Sequence, residues 1–475
     1  MDKNQLKNLC KAVPSIESII KEYEGHEVYM CQYMGGRQVN FDGEQISICH
    51  AGSIDDKPTE VSMLCRVGLD SVEKYYESVY KLFKKMEDDN FPCRRCPFCN
   101  KVEYHFSPIT YVTFLTTTYC NSSCIYCASH LGKKGHGFAY DNVMEKFNEL
   151  GLFDSGAIFD YGGGEPTQSP YFEGTVDYLT NHGFDQRINT NAIDFSPAIY
   201  KALANGKAWL RISPDSATYD VFLRVKGNSN CEVVWENIGK YAKASDKVVV
   251  KCNVCNYNAT QNEMDAFINR CQDAGVKKIV VDAEMQSYQR TSNAGPFYYT
   301  KAVFEMAHYL YDRAKEKGFH VQVGAYAFGC RPKYDEQRRL CLPDEYIDNT
   351  DYETIANGIY IEAYPTVEQM VSSIIQQPER QLVIFGYGGT GRIAEKACLD
   401  KGLKPKIIDN NEKLWGSKIL SAQKFLKNAS EKSEQLLIIL ANIKIRDMLK
   451  QINKSGVDVK VYWCNYAAYI NYSNK

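Results

Sequence analysis

The sequence has no long apolar run. No stretch of about 18 consecutive apolar residues occurs, which is the length that a membrane-spanning helix needs. The opening segment MDKNQLKNLCKAV also lacks the apolar core of a secretory signal peptide. We therefore expect a cytoplasmic protein with no membrane partner.

The chain also lacks a charge excess of either sign. It has 56 Lys and Arg residues against 58 Asp and Glu residues, which gives a net charge of −2. A surface that binds nucleic acid or an anionic membrane normally requires a marked basic excess. The balance of charges therefore predicts no nucleic-acid partner.

Cysteine, in contrast, is abundant. The 475 residues contain 18 cysteines. Without a signal peptide, this number indicates reduced thiols and metal ligands rather than disulfides. Some cysteines, such as Cys398 in an apolar helical pattern, are instead expected to be buried as small hydrophobic residues. The length predicts two or three domains.

Three of these cysteines lie in one short segment. Cys120, Cys124 and Cys127 follow a β-branched and aromatic run, in the pattern C-x3-C-x2-C. Thiolates are soft ligands that select zinc, copper(I) or iron–sulfur clusters. Three thiolates can hold three irons of a [4Fe-4S] cluster and leave the fourth iron open to a small molecule. Zinc binding by the same triplet is the alternative.

This spacing, with Tyr126 before the last cysteine, resembles the motif of the radical S-adenosylmethionine (radical SAM) enzymes. The segment GGGEP at residues 162–166 resembles the family's GGEP motif, which binds the methionine end of the cofactor. The resemblance implies a [4Fe-4S] cluster on the cysteine triplet and S-adenosylmethionine bound at Gly162, Gly163, Gly164 and Glu165. From the residues alone, a glycine triplet also fits a tight turn or bulge, because glycine adopts unusual dihedral angles.

Strand and helix patterns alternate between residues 107 and 340. This alternation predicts an α/β domain with a parallel sheet, and the resemblance implies a partial (β/α) TIM-type barrel. In such barrels the functional groups gather at the carboxyl ends of the strands. The cysteine triplet, GGGEP and the segment Asn189-Thr190-Asn191 all lie at predicted strand ends. We therefore expect these segments to converge.

Further residues match positions at which the family contacts its cofactor. The resemblance implies cofactor contacts from Ser213, Asp215, Arg224 and Asn253. An arginine suits a carboxylate because its donors form a fork. Arg224 also fits a surface position at a helix end, and Asn253 also fits a capping or turn position.

The resemblance further implies reductive cleavage of S-adenosylmethionine. An electron donor such as flavodoxin or ferredoxin reduces the cluster, and the resulting 5′-deoxyadenosyl radical abstracts a hydrogen atom from the substrate. The radical chemistry belongs to the cofactor, whereas the protein supplies binding, orientation and protection from side reactions. No acid or base side chain is required for the abstraction, so no catalytic residue is assigned.

Residues 1–106 form a second cysteine-rich region, of α+β type. Alternating residues on both sides of Asp42-Gly43 predict a β-hairpin whose arms carry Cys31 and Cys49. After a helical segment comes a compact triplet, which consists of Cys93, Cys96 and Cys99.

These cysteines resemble the auxiliary-cluster module called SPASM. The resemblance implies a second iron–sulfur cluster, with ligands among Cys31, Cys49, Cys93, Cys96 and Cys99. The remote fourth ligand beside the compact triplet is Cys49, Cys31 or Cys65. Zinc is the alternative, because tetrathiolate zinc sites also use C-x2-C pairs.

A different pattern follows a polar linker that is predicted at residues 341–378. Between residues 379 and 475, strand and helix signals alternate, and residues 386–391 match G-x-G-x-x-G. A strand, a glycine turn, a helix, a strand and an acidic residue in this order predict a Rossmann-like domain. The predicted nucleotide contacts are Gly386, Gly388, Gly391 and Asp409. The alternative is a docking domain whose glycines only pack helix against strand.

Three functions fit these patterns. The main prediction is a radical SAM enzyme that acts on a small, sugar- or nucleotide-linked substrate, because the chain carries a nucleotide-type domain. The alternative is a maturase that modifies a peptide or protein, because the cysteines of residues 1–106 are SPASM-like. The third is a non-catalytic iron–sulfur or zinc protein. GGGEP argues against the third, since a cluster carrier needs no site for a cofactor amine.

Overall fold

A computed structural model describes residues 3–31, 33–49, 60–69, 71–95, 99–127, 137–283, 301–323, 361–364, 367–441 and 445–464. These residues divide into two compact units. The first unit holds the described residues up to 121 and those from 137 to 211. The second unit holds residues 122–127, the described residues from 212 to 323, and those from 361 onward.

The strands of the first unit form one large sheet and one small antiparallel pair. They are β1 (Glu27–Met30), β2 (Gln38–Asp42), β3 (Gln45–Ser47), β4 (Arg66–Gly68), β5 (Asn100–Glu103), β6 (Ile109–Thr117), β7 (Phe153–Gly163), β8 (Asp185–Thr190) and β9 (Ala208–Ile212). The order in the large sheet is β9-β8-β7-β6-β2-β3-β4, and β1 pairs with β5. Strands β2, β6, β7 and β8 run parallel, whereas β3 and β4 are antiparallel additions at the edge.

The predicted hairpin is present, but it belongs to this sheet. Asp42 pairs with Gln45, and Gly43 adopts the left-handed φ of +69° that such a turn favours. Since β2 pairs with β6, the predicted boundary between residues 106 and 107 does not separate two sheets. The prediction of an α/β fold with a mostly parallel sheet is confirmed.

Two helices of the first unit begin with a serine cap. The helices of this unit are α1 (Lys3–Ala12), α2 (Pro14–Tyr23), α3 (Glu60–Cys65), α4 (Val72–Met86), α5 (Asp141–Glu149), α6 (Phe172–Asn181) and α7 (Pro197–Ala204). The Ser71 hydroxyl accepts a hydrogen bond from the Lys74 amide at 3.2 Å, which caps α4. The Ser196 hydroxyl caps α7 in the same way, with Pro197 at the first helical position.

The second unit continues the βα pattern. It contains α8 (Tyr219–Lys226), α9 (Cys231–Ala244), β10 (Val248–Val254), α10 (Gln261–Asp273), β11 (Lys278–Ala283), α11 (Lys301–Glu316) and β12 (His320–Val323). Strands β10, β11 and β12 are parallel neighbours. Helix α10 starts at the Thr260 cap and is followed by Gly275 with a φ of +74°.

A separate six-stranded sheet forms the C-terminal part of the second unit. Its elements are β13 (Ile361–Tyr364), α12 (Val367–Ile375), β14 (Gln381–Phe385), α13 (Gly389–Leu399), β15 (Lys406–Asp409), β16 (Ile419–Ser421), α14 (Ala422–Glu431), β17 (Gln435–Leu440), α15 (Ile445–Ser455) and β18 (Asp458–Cys464). The strand order is β13-β18-β17-β14-β15-β16, and all five neighbouring pairs are parallel. The predicted Rossmann-like topology of strands and crossover helices is therefore present.

The predicted linker at residues 341–378 is wrong for its second half. Strand β13 pairs with β18, so it is part of the C-terminal sheet. Helix α12 buries Met370 and Ile374 in a core that also contains Ile384. The apolar face of α12 is short and follows a polar stretch, which explains why the sequence suggested a linker.

In the part of the chain that the structure describes, no helix is long and apolar enough to cross a bilayer.

Candidate active site

The cysteine loop packs on the end of helix α8. In the second unit, the Ser123 amide donates to the Lys226 carbonyl oxygen at 3.0 Å. The Ile125 amide donates to the Val225 carbonyl oxygen, also at 3.0 Å. The last carbonyl groups of a helix have no partner within the helix. The cysteine loop therefore satisfies these carbonyl groups and is held in place by them.

Gly227 makes this packing possible. It follows α8 in the left-handed conformation, with a φ of +66°. A Cβ atom at this position would lie 2.6 Å from the Ser123 carbonyl oxygen, which is closer than real contacts allow. Only glycine combines this backbone angle with such a close approach. The Lys-Gly ending of the helix is the sequence signal that could have identified this role.

A buried polar cluster lies below the loop. The Tyr126 hydroxyl donates to the Asp215 carboxylate, and Lys226 Nζ donates to the same carboxylate at 2.8 Å. Lys226 Nζ also donates to the Tyr126 hydroxyl oxygen at 3.1 Å and to the Ser213 carbonyl oxygen at 2.7 Å. Asp215 is 0% exposed and Lys226 is 4% exposed. Burial raises the pKa of Tyr126, and the charge of Asp215 raises it further.

Lys226 remains positively charged despite its burial. Burial alone lowers its pKa, but Asp215 and the Cys124 thiolate outweigh that effect, so the pKa lies well above its usual value. A cation near a cysteine favours the thiolate, which is the form that binds metal. The sequence reasoning missed Lys226, although it named Asp215 and noted Tyr126.

Asp215 has further partners within the protein. It adopts a φ of +57°, a left-handed conformation that aspartate tolerates better than most residues. Its second carboxylate oxygen accepts from the Asn253 amide at 2.8 Å, and its carbonyl oxygen accepts from Asn258 Nδ2 at 2.6 Å. Asp215 thus ties the cysteine loop to α8 and β10. The predicted cofactor contacts of Ser213, Asp215 and Asn253 stay predictions.

Arg224 lies on the exposed side of α8. Its guanidinium group stacks over the Tyr257 ring, 3.9 Å from the ring centroid. This position fits the alternative given for Arg224 in the sequence analysis, a surface position at a helix end. Its predicted contact with the cofactor carboxylate also stays a prediction.

The GGGEP segment approaches the backbone that precedes Cys120. In the first unit, the Gly164 amide donates to the Thr117 carbonyl oxygen at 2.7 Å, and the Glu165 amide donates to the Tyr119 carbonyl oxygen at 2.8 Å. A Cβ atom on Gly164 would lie 1.9 Å from the Tyr119 carbonyl oxygen. Glycine is therefore needed here for contact between two backbones, a reason that sequence reasoning did not supply.

The other two glycines differ from each other. Gly163 has a φ of +104°, and a Cβ atom on it would lie 2.6 Å from the Thr117 carbonyl oxygen. Gly162 has only one neighbour within reach of an added Cβ, the Phe114 carbonyl oxygen at 3.8 Å. Of the three glycines, Gly162 therefore has the most open space around it. It is the one best placed to leave room for a ligand.

The Glu165 carboxylate is buried and accepts several hydrogen bonds. Oε1 accepts from the Thr190 hydroxyl at 2.6 Å and from the Thr167 hydroxyl at 2.9 Å, and Oε2 accepts from the Asn191 amide at 2.7 Å. Glu165 is 2% exposed, and this burial raises its pKa, although the hydrogen bonds oppose the shift. The side chain therefore fixes the segment that follows β8.

Asn191 links the Glu165 carboxylate to Cys120, the first cysteine of the triplet. Its side-chain Nδ2 donates to Asn121 Oδ1 at 2.6 Å and lies 3.9 Å from Cys120 Sγ. Asn121 Nδ2 donates in turn to the Asp194 carboxylate at 3.0 Å. Glu165 thus positions Cys120 through Asn191, in addition to its predicted contact with the cofactor.

A cavity of about 360 Å³ opens in the first unit among strands β2, β6, β7 and β8. Gly162 and Asn189 line it, together with Asn40, Thr113 and Asp160. The Thr113 hydroxyl donates to Asn40 Oδ1 at 2.7 Å, and Asp160 lies 3.6 Å from the Arg187 guanidinium group. The cavity is therefore polar on the strand faces and has the open glycine of GGGEP in its wall.

The residues of the loop fit an iron–sulfur cluster. Cys120, Cys124 and Cys127 are half-buried, and a cation lies near Cys124. Among the residues that the structure describes, no three Cys, His, Asp or Glu side chains already have the spacing of a metal-bound site. Three soft thiolates on one loop match a cluster that keeps one iron open.

The second cysteine set belongs to the first unit. Cys31, Cys49, Cys93 and Cys99 are half-buried, whereas Cys65 is buried. Cys96 lies outside the described residues. The predicted ligand roles of these cysteines stay predictions.

The glycine turn of the C-terminal sheet is built around close contacts. A Cβ atom on Gly391 would lie 2.1 Å from the Gly386 carbonyl oxygen, and Gly386 has a φ of +98°. An added Cβ on Gly388 would meet nothing within 4 Å. Gly386 and Gly391 therefore allow the turn to pack closely against the start of helix α13. This is the role that the alternative prediction, a docking domain, assigns to them.

Asp409 is engaged by the backbone of its own region. One carboxylate oxygen accepts from the Tyr387 amide at 2.6 Å, and the other accepts from the Asn411 amide at 2.7 Å. In a dinucleotide site the corresponding acidic residue binds a ribose hydroxyl. Here the carboxylate stabilises the turn, and nucleotide binding by this domain stays a prediction.

The cysteine triplet and the GGGEP segment lie in a part of the chain that matches a known family. Residues 114–271 match the Radical SAM superfamily. These residues therefore form a radical SAM domain. The cofactors of that family, a [4Fe-4S] cluster and S-adenosylmethionine, are those that the sequence predicts.

The curated relatives resemble part of the chain. Mycofactocin maturase MftC of Mycobacterium ulcerans (strain Agy99) is 31% identical over 121 residues, which are 24% of this chain and 32% of that protein. Mycofactocin maturase MftC of Mycobacterium tuberculosis (strain CDC 1551 / Oshkosh) is 28% identical over 138 residues, which are 28% of this chain and 34% of that protein. The matched part thus spans about a third of the length of each relative.

Among solved structures, Streptococcus suis SuiB bound to S-adenosylmethionine aligns with a TM-score of 0.39 and 11% identity. The alignment covers 56% of this chain and 60% of SuiB.

Proposed function

We propose that the protein is a radical SAM maturase that modifies a peptide or protein substrate. The observation that carries this proposal is that the curated relatives are mycofactocin maturases. These relatives favour the alternative prediction over the main one, a small sugar- or nucleotide-linked substrate.

The cavity of the first unit supports a substrate with many hydrogen-bonding groups. Its wall presents the Asn189 amide and the Thr113 hydroxyl. The Asn40 amide in the same wall is buried and already donates to the Ser47 carbonyl oxygen. Amide groups both donate and accept, so they suit a peptide backbone, which offers both kinds of partner. The carboxylate of Asp160 adds an acceptor beside them.

The C-terminal sheet gives less support to a nucleotide-linked substrate. Its glycine turn retains open space at Gly388, but Asp409 already accepts two backbone hydrogen bonds. A docking role for this sheet, with a peptide or an electron donor such as flavodoxin or ferredoxin as partner, is compatible with the proposed function.

The residues of the loop have distinct parts in the proposed reaction. When bound, the [4Fe-4S] cluster and S-adenosylmethionine supply reductive cleavage of the cofactor and hydrogen-atom abstraction. Cys120, Cys124 and Cys127 hold the cluster. Lys226 places a positive charge near Cys124, and Glu165 keeps Cys120 in place through Asn191.

Product analysis of the anaerobically reconstituted protein tests this function. After reduction with dithionite, the protein is incubated with S-adenosylmethionine and either peptides encoded by neighbouring genes or a set of nucleotide sugars. We expect 5′-deoxyadenosine to increase with one of the peptides and that peptide to change in mass. A C271S variant serves as the control, because Cys271 is buried in α10 away from the motif.

Two results would contradict the proposal. Stimulation of 5′-deoxyadenosine formation by a nucleotide sugar, with no peptide modified, would restore the small-substrate prediction. Equal product formation by the wild type and by the C120A/C124A/C127A variant would show that the loop does not hold the reacting cluster.

A further inference from the structure

Lys226 carries a positive charge that is fixed in the interior of the second unit. Its Nζ donates to the Asp215 carboxylate at 2.8 Å, to the Tyr126 hydroxyl oxygen at 3.1 Å and to the Ser213 carbonyl oxygen at 2.7 Å. An ammonium group has three N–H donors, so these three bonds use all of them. Lys226 is 4% exposed. The charge therefore cannot swing out into water.

The same residue contacts the cysteine loop at two points. Its carbonyl oxygen accepts from the amide of Ser123, the residue before Cys124. Its Nζ bonds the hydroxyl of Tyr126, the residue before Cys127. Lys226 thus contacts a neighbour of each of these two cysteines, and its charge acts on Cys124.

Stability alone does not account for a lysine at this position. Burial takes both Lys226 and Asp215 out of water, and well-packed apolar residues in place of such a pair are often equally stable. The Asp215 carboxylate also accepts from the Asn253 amide at 2.8 Å, so it has a backbone donor besides the lysine. What the lysine adds is a charge that little water screens, and such a charge acts strongly on its surroundings.

Reduction adds one electron to a [4Fe-4S] cluster and makes it more negative. A fixed cation nearby therefore favours the reduced form, and a fixed anion favours the oxidised form. Net charge is among the factors that set the potential of such clusters. We propose that the buried charge of Lys226 raises the reduction potential of the cluster on Cys120, Cys124 and Cys127. Lys226 thereby lowers the reducing strength that the one-electron donor must supply.

Helix α8 also provides a matched control. Arg224 lies two residues before Lys226 on the same helix, but it is exposed and stacks over the Tyr257 ring. Water and salt screen an exposed charge far more than a buried one. The two residues therefore carry the same charge in different surroundings.

A redox titration followed by electron paramagnetic resonance tests the proposal. The full-length protein is reconstituted with iron and sulfide and titrated without S-adenosylmethionine or peptide. The signal of the loop cluster is the one that the C120A/C124A/C127A variant lacks. At a fixed potential we expect K226M to lower the ratio of reduced to oxidised cluster about tenfold, which is a potential lower by about 59 mV for one electron. R224A should keep the wild-type potential.

Two further variants separate charge from structural damage. D215N removes the neighbouring negative charge, and asparagine also tolerates the left-handed backbone at this position, so the potential should rise. K226R keeps the positive charge and should stay near the wild-type potential. Damage to the site has no reason to move K226M and D215N in opposite directions. If K226M does not hold the cluster, D215N and K226R carry the test.

Three results would overturn the inference. They are a wild-type potential in cluster-loaded K226M or D215N, shifts of K226M and D215N in the same direction, and a shift of R224A as large as that of K226M. The titration contains no peptide, so these results leave the proposed function intact. Failure of the protein to modify any peptide would in turn leave the potential shifts unaffected.

Discussion

Replacing Gly164 with alanine tests whether GGGEP positions the cysteine loop. The added Cβ would lie 1.9 Å from the Tyr119 carbonyl oxygen. Carbon and oxygen atoms in proteins rarely approach closer than about 3 Å, so one of the two backbones must move by roughly 1 Å. Tyr119 precedes Cys120, and the displacement therefore reaches the first ligand of the cluster.

The size of the effect follows from this overlap. Overpacking of a dense region costs about 1–3 kcal/mol of the free energy of unfolding. A displacement of roughly 1 Å at a reacting centre can reduce the rate by about 100-fold. We therefore expect G164A to lose stability in urea denaturation and to cleave S-adenosylmethionine about 100-fold more slowly, with lower iron content.

Two other glycines provide matched controls. Gly174 lies in helix α6 with nothing within 4 Å of an added Cβ, so G174A should gain about 0.5–1 kcal/mol of stability. G162A should keep its stability and iron, because its nearest neighbour is 3.8 Å away, but it should need more S-adenosylmethionine for half-maximal rate. If G164A has the stability, iron content and rate of G174A, the positioning argument fails.

Three further changes test other parts of the account. K226M leaves the buried Asp215 carboxylate without its cation, so urea denaturation should show a loss of about 3–5 kcal/mol. R224A on the exposed face should cost little, and equal losses would refute the role of the buried pair. In the C-terminal sheet, G391A should lower the melting temperature, because the added Cβ atom meets a backbone oxygen within 3 Å. G388A should change the melting temperature far less, because its added Cβ atom meets nothing within 4 Å. A larger decrease for G388A than for G391A would contradict the packing argument. Because the folded-state pKa of Glu165 is raised, its contribution to stability is fully present below 4.5 and is lost as the pH rises through the raised value. The stability of the wild type relative to E165Q should therefore fall as the pH rises above 4.5 in urea denaturation, and a constant difference would contradict the shift.

Local sequence patterns predicted the main elements. The alternating arms around Gly43 form β2 and β3, and the helical spacing before Gly275 forms α10. Turn and capping preferences act between near neighbours in the chain, so one sequence suffices to identify them. The same patterns misplaced β13, because its pairing partner lies about a hundred residues further along the chain.

Contacts between distant residues could not be predicted in this way. Tyr126 meets Asp215 across 89 positions and meets Lys226 across 100 positions. Lys226 stands at a helix end, where a lysine normally serves a solvent-exposed C-terminus. Its burial and its proximity to Cys124 depend on how the cysteine loop packs, which one sequence does not reveal.

The glycines of GGGEP illustrate the same limit. The resemblance implied cofactor contacts at these glycines, which stay a prediction, and the structure shows in addition that Gly163 and Gly164 approach neighbouring backbone closely. Only Gly162 lies beside open space, in the wall of the polar cavity. A glycine motif thus indicates that another group approaches the backbone closely. Whether that group is a ligand or another part of the chain depends on the fold.

Reductive cleavage of S-adenosylmethionine tests the central claim most directly. Reconstituted wild-type protein and the C120A/C124A/C127A variant are reduced with dithionite, and 5′-deoxyadenosine is quantified by chromatography and mass spectrometry. The account predicts this product from the wild type and none above background from the variant. No product from an iron-loaded wild type, or equal amounts from both proteins, would contradict it.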